Sequence, residues 1–216
     1  MEVFKTSSNS ESEGLDSSFH WYRDCFKRIL DILISLIGIV VLAIPMLIIA
    51  LIIKIDSPKE KVLFKQDRVG KNNRRFTILK FRSMRQDAPH QMATGEFKNS
   101  QEYITKIGRV LRKTSLDELP QLFNVVKGDM SLIGPRPLIP KEKKVLGLRK
   151  KLGALSILPG ITGLAQVHGR DELSNKEKAL YDGSYTHRIS FRLDLRIFLK
   201  TICYVIQSKG IHDGDK

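Results

Sequence analysis

The stretch Leu111–Leu122 reads LRKTSLDELPQL and sets two carboxylates, Asp117 and Glu118, just after Arg112 and Lys113. Side-by-side acids among cations suit two kinds of chemistry. One is structural. Ser115-x-x-Glu118 matches a capping box, in which serine and glutamate satisfy each other's backbone donors, and Asp117 is itself a suitable N-cap with Pro120 tolerated in the first turn. Either acid would also suit the positive end of the helix dipole. The other is phosphoryl transfer, which needs a nucleophile, cations for the phosphate oxygens and usually a divalent metal held by carboxylate. Aspartate can act as nucleophile through an acyl-phosphate, and a helix N-terminus adds positive potential for the anion. Spacing alone favours capping. The cations, with Arg136 following in the turn GPRP, favour chemistry, and from the residues both readings stay open.

The surrounding composition narrows the partners. The chain has 216 residues, with 37 Lys+Arg against 23 Asp+Glu and a formal net charge of +14. That length is one domain plus attachments, with enough chain for a core. The charge points to an anionic partner: nucleic acid, an anionic membrane surface or a phosphorylated substrate. Two cysteines, Cys25 and Cys203, make neither a disulfide framework nor a paired metal motif, so a reducing cytosolic face is expected. P-loop, HExxH, Cys/His-cluster and Gly-x-Ser-x-Gly signatures are all missing.

The acids must be positioned by the elements around them. Residues 1–22 read as a tail without periodicity and without signal-peptide character. Ile32 to Ile53 carries no charge; as a helix it would reach roughly 33 Å, enough for a bilayer core of about 30 Å. A single spanning helix fits that length. Two features favour a re-entrant hairpin instead: cations flank both ends (Arg23, Lys27 and Arg28 before; Lys54, Lys59, Lys61 and Lys65 after), and Pro45 breaks the run, freeing the carbonyl near Val41. VLFKQDRVG and RRFTILKFRSM read as two strands, the second with Lys80 and Arg82 on one face and Leu79 and Phe81 on the other. QEYITKIGRVLRK predicts a basic amphipathic helix with Tyr103, Ile104, Ile107, Val110 and Leu111 on its apolar side, and a helix from about Asp117 to Lys127 is closed by Gly128. GDMSLIGPRPLIP reads as a proline-stiffened loop, KEKKVLGLRKKLG as a very basic helix and LPGITGLAQVHGR as a glycine-rich connection. GLRKKLGALSIL suits either an anionic membrane surface or a solvated face over a core. Helices follow around Lys176–Arg188 and Phe191–Ser208. The expected fold is α+β: a membrane segment (23–57), a compact, mostly helical catalytic domain with a short β-hairpin (58–210), and tails at 1–22 and 211–216.

Taken together, VLFKQDRVG, FTILKFRSM, IGRVLRKTSLDELPQLFNVVKGDMSLIGPRP, LPGITGLAQVHGR and ISFRLDLRI resemble the bacterial sugar transferase family, the monotopic polyprenyl-phosphate phosphoglycosyl transferases. The resemblance runs from Arg23 to about Gly210, and its long central stretch is highly specific. It implies that a UDP-sugar and undecaprenyl phosphate are the substrates. It implies that Asp117 attacks the sugar-proximal phosphate and expels UMP, that the polyprenyl phosphate then takes the phosphosugar from Asp117, and that Glu118 assists by positioning or proton transfer. It also implies Mg2+ at Asp117, phosphate binding by Arg112 and Arg136, and a place at the cytoplasmic face of the bacterial inner membrane, in the first step of surface-glycan assembly. Lys80, Arg82 and Arg170 are further candidates for phosphate or nucleotide contact. Nucleic acid is not expected, because no interleaved aromatic and basic stacking surface is present; dimerisation is left open. The rival reading is a non-enzymatic basic membrane adaptor, supported by charge alone.

The chain departs from the family pattern at three places. Ile44-Pro45 replaces the Ser-Pro common at the membrane-helix break. Leu164 and His168 replace a tryptophan and an asparagine, and a further tryptophan common in the next segment is absent near Asn175. These changes bear on the sugar. His168 by itself reads as a hydrogen-bonding or surface histidine rather than a catalytic one.

Overall fold

A computed structural model describes residues 21–88, 100–169 and 172–207. It is a mixed α and β structure. After a wide helical turn, Tyr22–Phe26, come helices α1 (Lys27–Val41) and α2 (Ala43–Asp56), then strands β1 (Leu63–Val69) and β2 (Arg75–Phe81). Helices α3 (Lys106–Lys113) and α4 (Gln121–Lys127), strand β3 (Ser131–Ile133), helix α5 (Lys143–Lys151), strand β4 (Gly160–Thr162) and helices α6 (Asn175–His187) and α7 (Phe191–Gln207) complete it.

Tyr22–Val41 and Ala43–Asp56 meet at an angle of 61°, and neither helix alone is long and apolar enough to cross a membrane. The bend centres on Leu42, whose backbone leaves helical values (φ −93°, ψ 6°). Pro45 is the third residue of α2, where a helix has no amide bond to lose. The ring would clash with the carbonyl four residues back, that of Val41, so the chain opens just after Val41 rather than at the proline itself.

Helix α1 is inside-out compared with a soluble helix. Its buried residues are Asp31 and Ser35, while Ile29, Leu33, Ile34, Leu36, Ile37, Val40 and Val41 are exposed. Ile44, Leu47, Ile48, Leu51, Ile52 and Ile55 extend that surface along α2. A contiguous apolar face of this size is far more than a soluble monomer presents to water.

Both ends of the bent pair are fastened to the same domain. At the first end, Arg28 donates to the carbonyls of Val125 (2.6 Å) and Met130 (3.0 Å), so a cation closes the C-terminus of α4. Asp31 accepts from Ser131 Oγ (2.6 Å) and from the Leu132 amide (3.2 Å), and Lys27 pairs with Asp194 of α7 at 2.8 Å. At the second end, Met46, Ile49 and Ile53 pack with Phe81 and Leu111.

Strands β1 and β2 form the expected antiparallel hairpin, in register from Leu63 opposite Phe81 to Val69 opposite Arg75. The face of β2 that carries Lys80 is not the solvated one: Ile78, two residues away, is buried against Val125 and Met130. The segments 128–140 and 158–170, expected as a loop and a connection, contain a parallel pair, with Ser131 opposite Gly160 and Ile133 opposite Thr162. Two glycines make it possible: a Cβ on Gly160 would lie 2.1 Å from the Gly134 nitrogen, and one on Gly163 would lie 2.0 Å from the Gly134 carbonyl oxygen. Strands of three residues carry no periodic signal, which is why this crossing is silent in the sequence. The basic segment around α5 lies over a core, with Val145 and Arg149 buried and the lysines outward.

Candidate active site

Neither capping motif at the acid pair is formed. Ser115 has a left-handed backbone (φ 56°), and its side chain caps nothing. Leu116–Glu118 is a single 3-10 turn, and α4 starts after Pro120 without a side-chain cap. A non-glycine residue in the left-handed region costs about 1–3 kcal/mol and persists only where the surroundings enforce it. Here the reversal at Ser115 turns the chain from α3 into the acid pair, so that the Arg112 charge acts on Asp117.

The two acids have different environments. Glu118 is tied down: Lys80 Nζ donates to its Oε1 at 2.7 Å, and Arg136 reaches the same oxygen at 3.5 Å. Asp117 is buried, yet no hydrogen bond or ion pair to its carboxylate is seen among the described residues. Burial holds its carboxyl above the ordinary aspartate range, and Glu118 adds to this; Lys80, Arg112 and Arg136 pull the other way. The result is a desolvated carboxylate, surrounded by cations but bonded to none of them, beside a second carboxylate that is fixed.

The positions of the cations follow from the fold. Lys80 comes from β2, which is clamped to α4 by Asn124: the Leu79 amide donates to Asn124 Oδ1 (2.9 Å), and Asn124 Nδ2 donates to the Thr77 carbonyl (2.8 Å). A buried side-chain amide thus stands in for a neighbouring strand and fixes Lys80 over Glu118. Burial lowers the Lys80 ammonium below the usual lysine range, against the pull of Glu118. Arg136 follows β3, and its carbonyl accepts from Arg149 Nη1 at 2.7 Å. Arg149 in turn pairs at 2.5 Å with Asp182 of α6, both side chains being almost fully buried.

Of the residues expected from the sequence, Asp117, Glu118, Lys80, Arg112 and Arg136 are brought together. Arg82 is not: its Nε donates to the Lys61 carbonyl (2.7 Å) and pairs with Glu60 (3.6 Å), just beyond the bent helix pair. Arg170 lies outside the described residues. His168 is exposed, stacked on Tyr181 and bonded through Nδ1 to the Leu164 carbonyl at 2.8 Å.

The sequence reading overlooked Arg68, Gln121, Asn124 and Arg149. Arg68 reaches the site from β1 and donates to the Pro137 carbonyl (3.1 Å). Burial lowers its guanidinium to about 10, and the Arg136 charge adds to the drop. Only the period-two alternation of β1, which sets Gln66 and Arg68 on the inner face, could have pointed to it.

A cavity of about 340 Å³ opens beside Glu118 and Arg136, walled by Leu119, Leu122, Ile161, Val167 and Tyr204. The site therefore joins a cationic cluster to an apolar groove, an arrangement suited to an anionic head on an apolar chain.

Comparison with known proteins places the chain in a family. The model of the family described as bacterial sugar transferase matches residues 22–208. The chain is 43% identical over 159 residues to the uncharacterized sugar transferase EpsL of Bacillus subtilis (strain 168), covering 74% of this chain and 75% of that one. It is 39% identical over 194 residues to the undecaprenyl-phosphate glucose phosphotransferase of Komagataeibacter xylinus, covering 85% of this chain but 36% of the relative's length. It is 38% identical over 195 residues to the exopolysaccharide production protein PSS of Rhizobium leguminosarum bv. phaseoli, covering 82% and 92%. With a family match across nearly all of its length and relatives at this identity, the chain belongs to the bacterial sugar transferase family.

Proposed function

We propose that this transferase moves a phosphosugar from a UDP-sugar to undecaprenyl phosphate, at the cytoplasmic face of a bacterial inner membrane, as the first step of surface-glycan assembly. The observation that carries the reading is the contrast within the acid pair: Glu118 is held by Lys80 and Arg136, while the buried Asp117 carboxylate has no bonded partner among the described residues. An Asp117 oxygen attacks the sugar-proximal phosphorus. The bond from that phosphorus to the bridging oxygen breaks, and UMP leaves with the electron pair. An oxygen of the polyprenyl phosphate then attacks the same phosphorus, the bond to Asp117 breaks, and the lipid diphosphate-sugar departs. Lys80, Arg112 and Arg136 neutralise the phosphate oxygens in both steps. Glu118, fixed by Lys80, orients the group that enters or leaves.

Among the described residues no three acidic, histidine or cysteine side chains gather into a metal cage. Mg2+ commonly binds through one or two carboxylates plus substrate phosphates, and the Asp117 carboxylate is a hard oxygen donor of that kind. When bound there, Mg2+ would neutralise charge on the phosphate oxygens.

The inverted amphipathy of α1, the 61° bend and the attachment of both ends to one domain favour a hairpin that enters one leaflet and returns. Such a hairpin would hold Asp117 near the membrane surface, where a lipid phosphate lies. On a background lacking Cys25 and Cys203, both exposed, single cysteines at Arg23 and Lys59 should resist an impermeant thiol reagent added outside the intact inner membrane. Both should react once the membrane is opened. Labelling of either site from outside would restore a spanning helix.

The test of the reaction is UMP release. Purified protein with undecaprenyl phosphate, Mg2+ and a panel of UDP-sugars should release UMP with at least one of them. Release with none would remove the activity. Lys80→Met should lower kcat/KM for the UDP-sugar by about 100-fold, the usual loss when one preorganised cationic donor is removed. A loss under threefold would take Lys80 out of the site.

A further inference from the structure

Two buried hydrogen-bond donors beside the acid pair have no acceptor: Gln121 Nε2 and Arg68 Nε. Gln121 is only 2% exposed, and buried amide donors are seldom left unmet. Both side chains line one small chamber with Lys80, Glu118, Arg136 and Ile161. Its free volume is about 10 Å³, room for about one water-sized oxygen.

Among the chamber's charged side chains, donors outnumber acceptors. Three cationic side chains line it against one carboxylate, whose Oε1 already takes Lys80 at 2.7 Å and Arg136 at 3.5 Å. A water there would need somewhere to donate two protons of its own, whereas a phosphate oxygen only accepts. Glu118, Arg136 and Ile161 also wall the 340 Å³ cavity, so a group inserting one oxygen into the chamber keeps its remaining atoms next to that larger space.

We infer that the chamber is a subsite for a single non-bridging phosphate oxygen, with Gln121 Nε2 and Arg68 Nε as dedicated donors. This rests on the phosphosugar-transfer reading and adds to it the residues that grip one phosphate. The UDP-sugar and the polyprenyl phosphate share that chemistry, and kinetics tell them apart.

The experiment compares wild type, Gln121→Met and Gln121→Glu, measuring KM separately for the UDP-sugar and for undecaprenyl phosphate, alongside thermal melting. Methionine keeps the bulk and removes the unmet donor, so Tm should hold or rise. Glutamate sets a carboxylate among cations, so Tm should again hold or rise while the site repels phosphate. In both variants KM for one substrate should increase, by about 10- to 100-fold for methionine and by more for glutamate, and the substrate affected identifies which phosphate is gripped. The inference is overturned if wild type turns over and both variants stay within about twofold of it for both substrates. It is also overturned if Gln121→Met melts well below wild type, since the amide would then have a structural partner. A wild type that releases no UMP from any UDP-sugar overturns the underlying reading itself, a result distinguishable from either of these.

Discussion

Asp117→Asn should yield a folded protein that releases UMP at least about 10⁴-fold more slowly than wild type, the scale of loss when a covalent nucleophile is removed. A neutral amide cannot attack phosphorus and holds Mg2+ poorly. Its thermal stability should be equal to or above that of wild type. The Asp117 side chain caps no helix, so no cap is lost, and burial already disfavours its charge, so a neutral isostere relieves a cost. Mass spectrometry of wild type incubated with UDP-sugar and no lipid acceptor should find a phosphosugar on Asp117. A folded Asp117→Asn variant with near-normal turnover would exclude Asp117 as the nucleophile.

Asp182→Ala should produce the largest loss of stability, about 3–5 kcal/mol, because it leaves Arg149 charged, buried and unpaired. For a chain of this size that corresponds to a fall in Tm of roughly 6–20 °C. Replacing both members of such a pair by apolar residues is often near neutral, so the double variant Asp182→Ala/Arg149→Met should recover much of the melting temperature. It should not recover activity. Arg149 Nη1 holds the Arg136 carbonyl at 2.7 Å, and without that bond the Pro-Arg-Pro turn loses the anchor that directs Arg136 toward Glu118. Full recovery of both stability and kcat/KM in the double variant would show that Arg149 serves packing alone.

The motif Ser-x-x-Glu has opposite outcomes at two helix-proximal places in this chain. At Ser174–Glu177 the capping box forms, with the Glu177 amide donating to Ser174 Oγ at 3.2 Å and the Ser174 amide donating to Glu177 Oε2 at 2.8 Å. At Ser115–Glu118 the same spacing gives no cap, because Glu118 is drawn to Lys80 and Arg136 from other segments and Ser115 is turned left-handed. The Ser and Glu spacing is identical at the two places. Long-range electrostatics separates them.

What the sequence determined by itself is short-range. The β-hairpin, the ends of α6 and α7 to within a residue or so, the stop of α4 at Gly128 and the apolar run with cations on both flanks follow from periodicity, caps and turn residues, which act over a few positions along the chain. The acid pair and its basic surroundings were legible for the same reason: Arg112, Asp117 and Glu118 lie within one stretch. The tertiary structure alone decided the rest. It opened the helix bend at Leu42, paired β3 with β4 through glycine contacts and turned Arg82 away from the acids. It also brought Arg68 from β1, Lys80 from β2, Gln121 from α4 and Arg136 from the turn after β3 around one small chamber. Each of these residues looks locally like an ordinary polar position in a strand, helix or turn. What makes them a site is desolvation and the convergence of charge from distant segments, and those forces depend on distance in space rather than on separation along the chain.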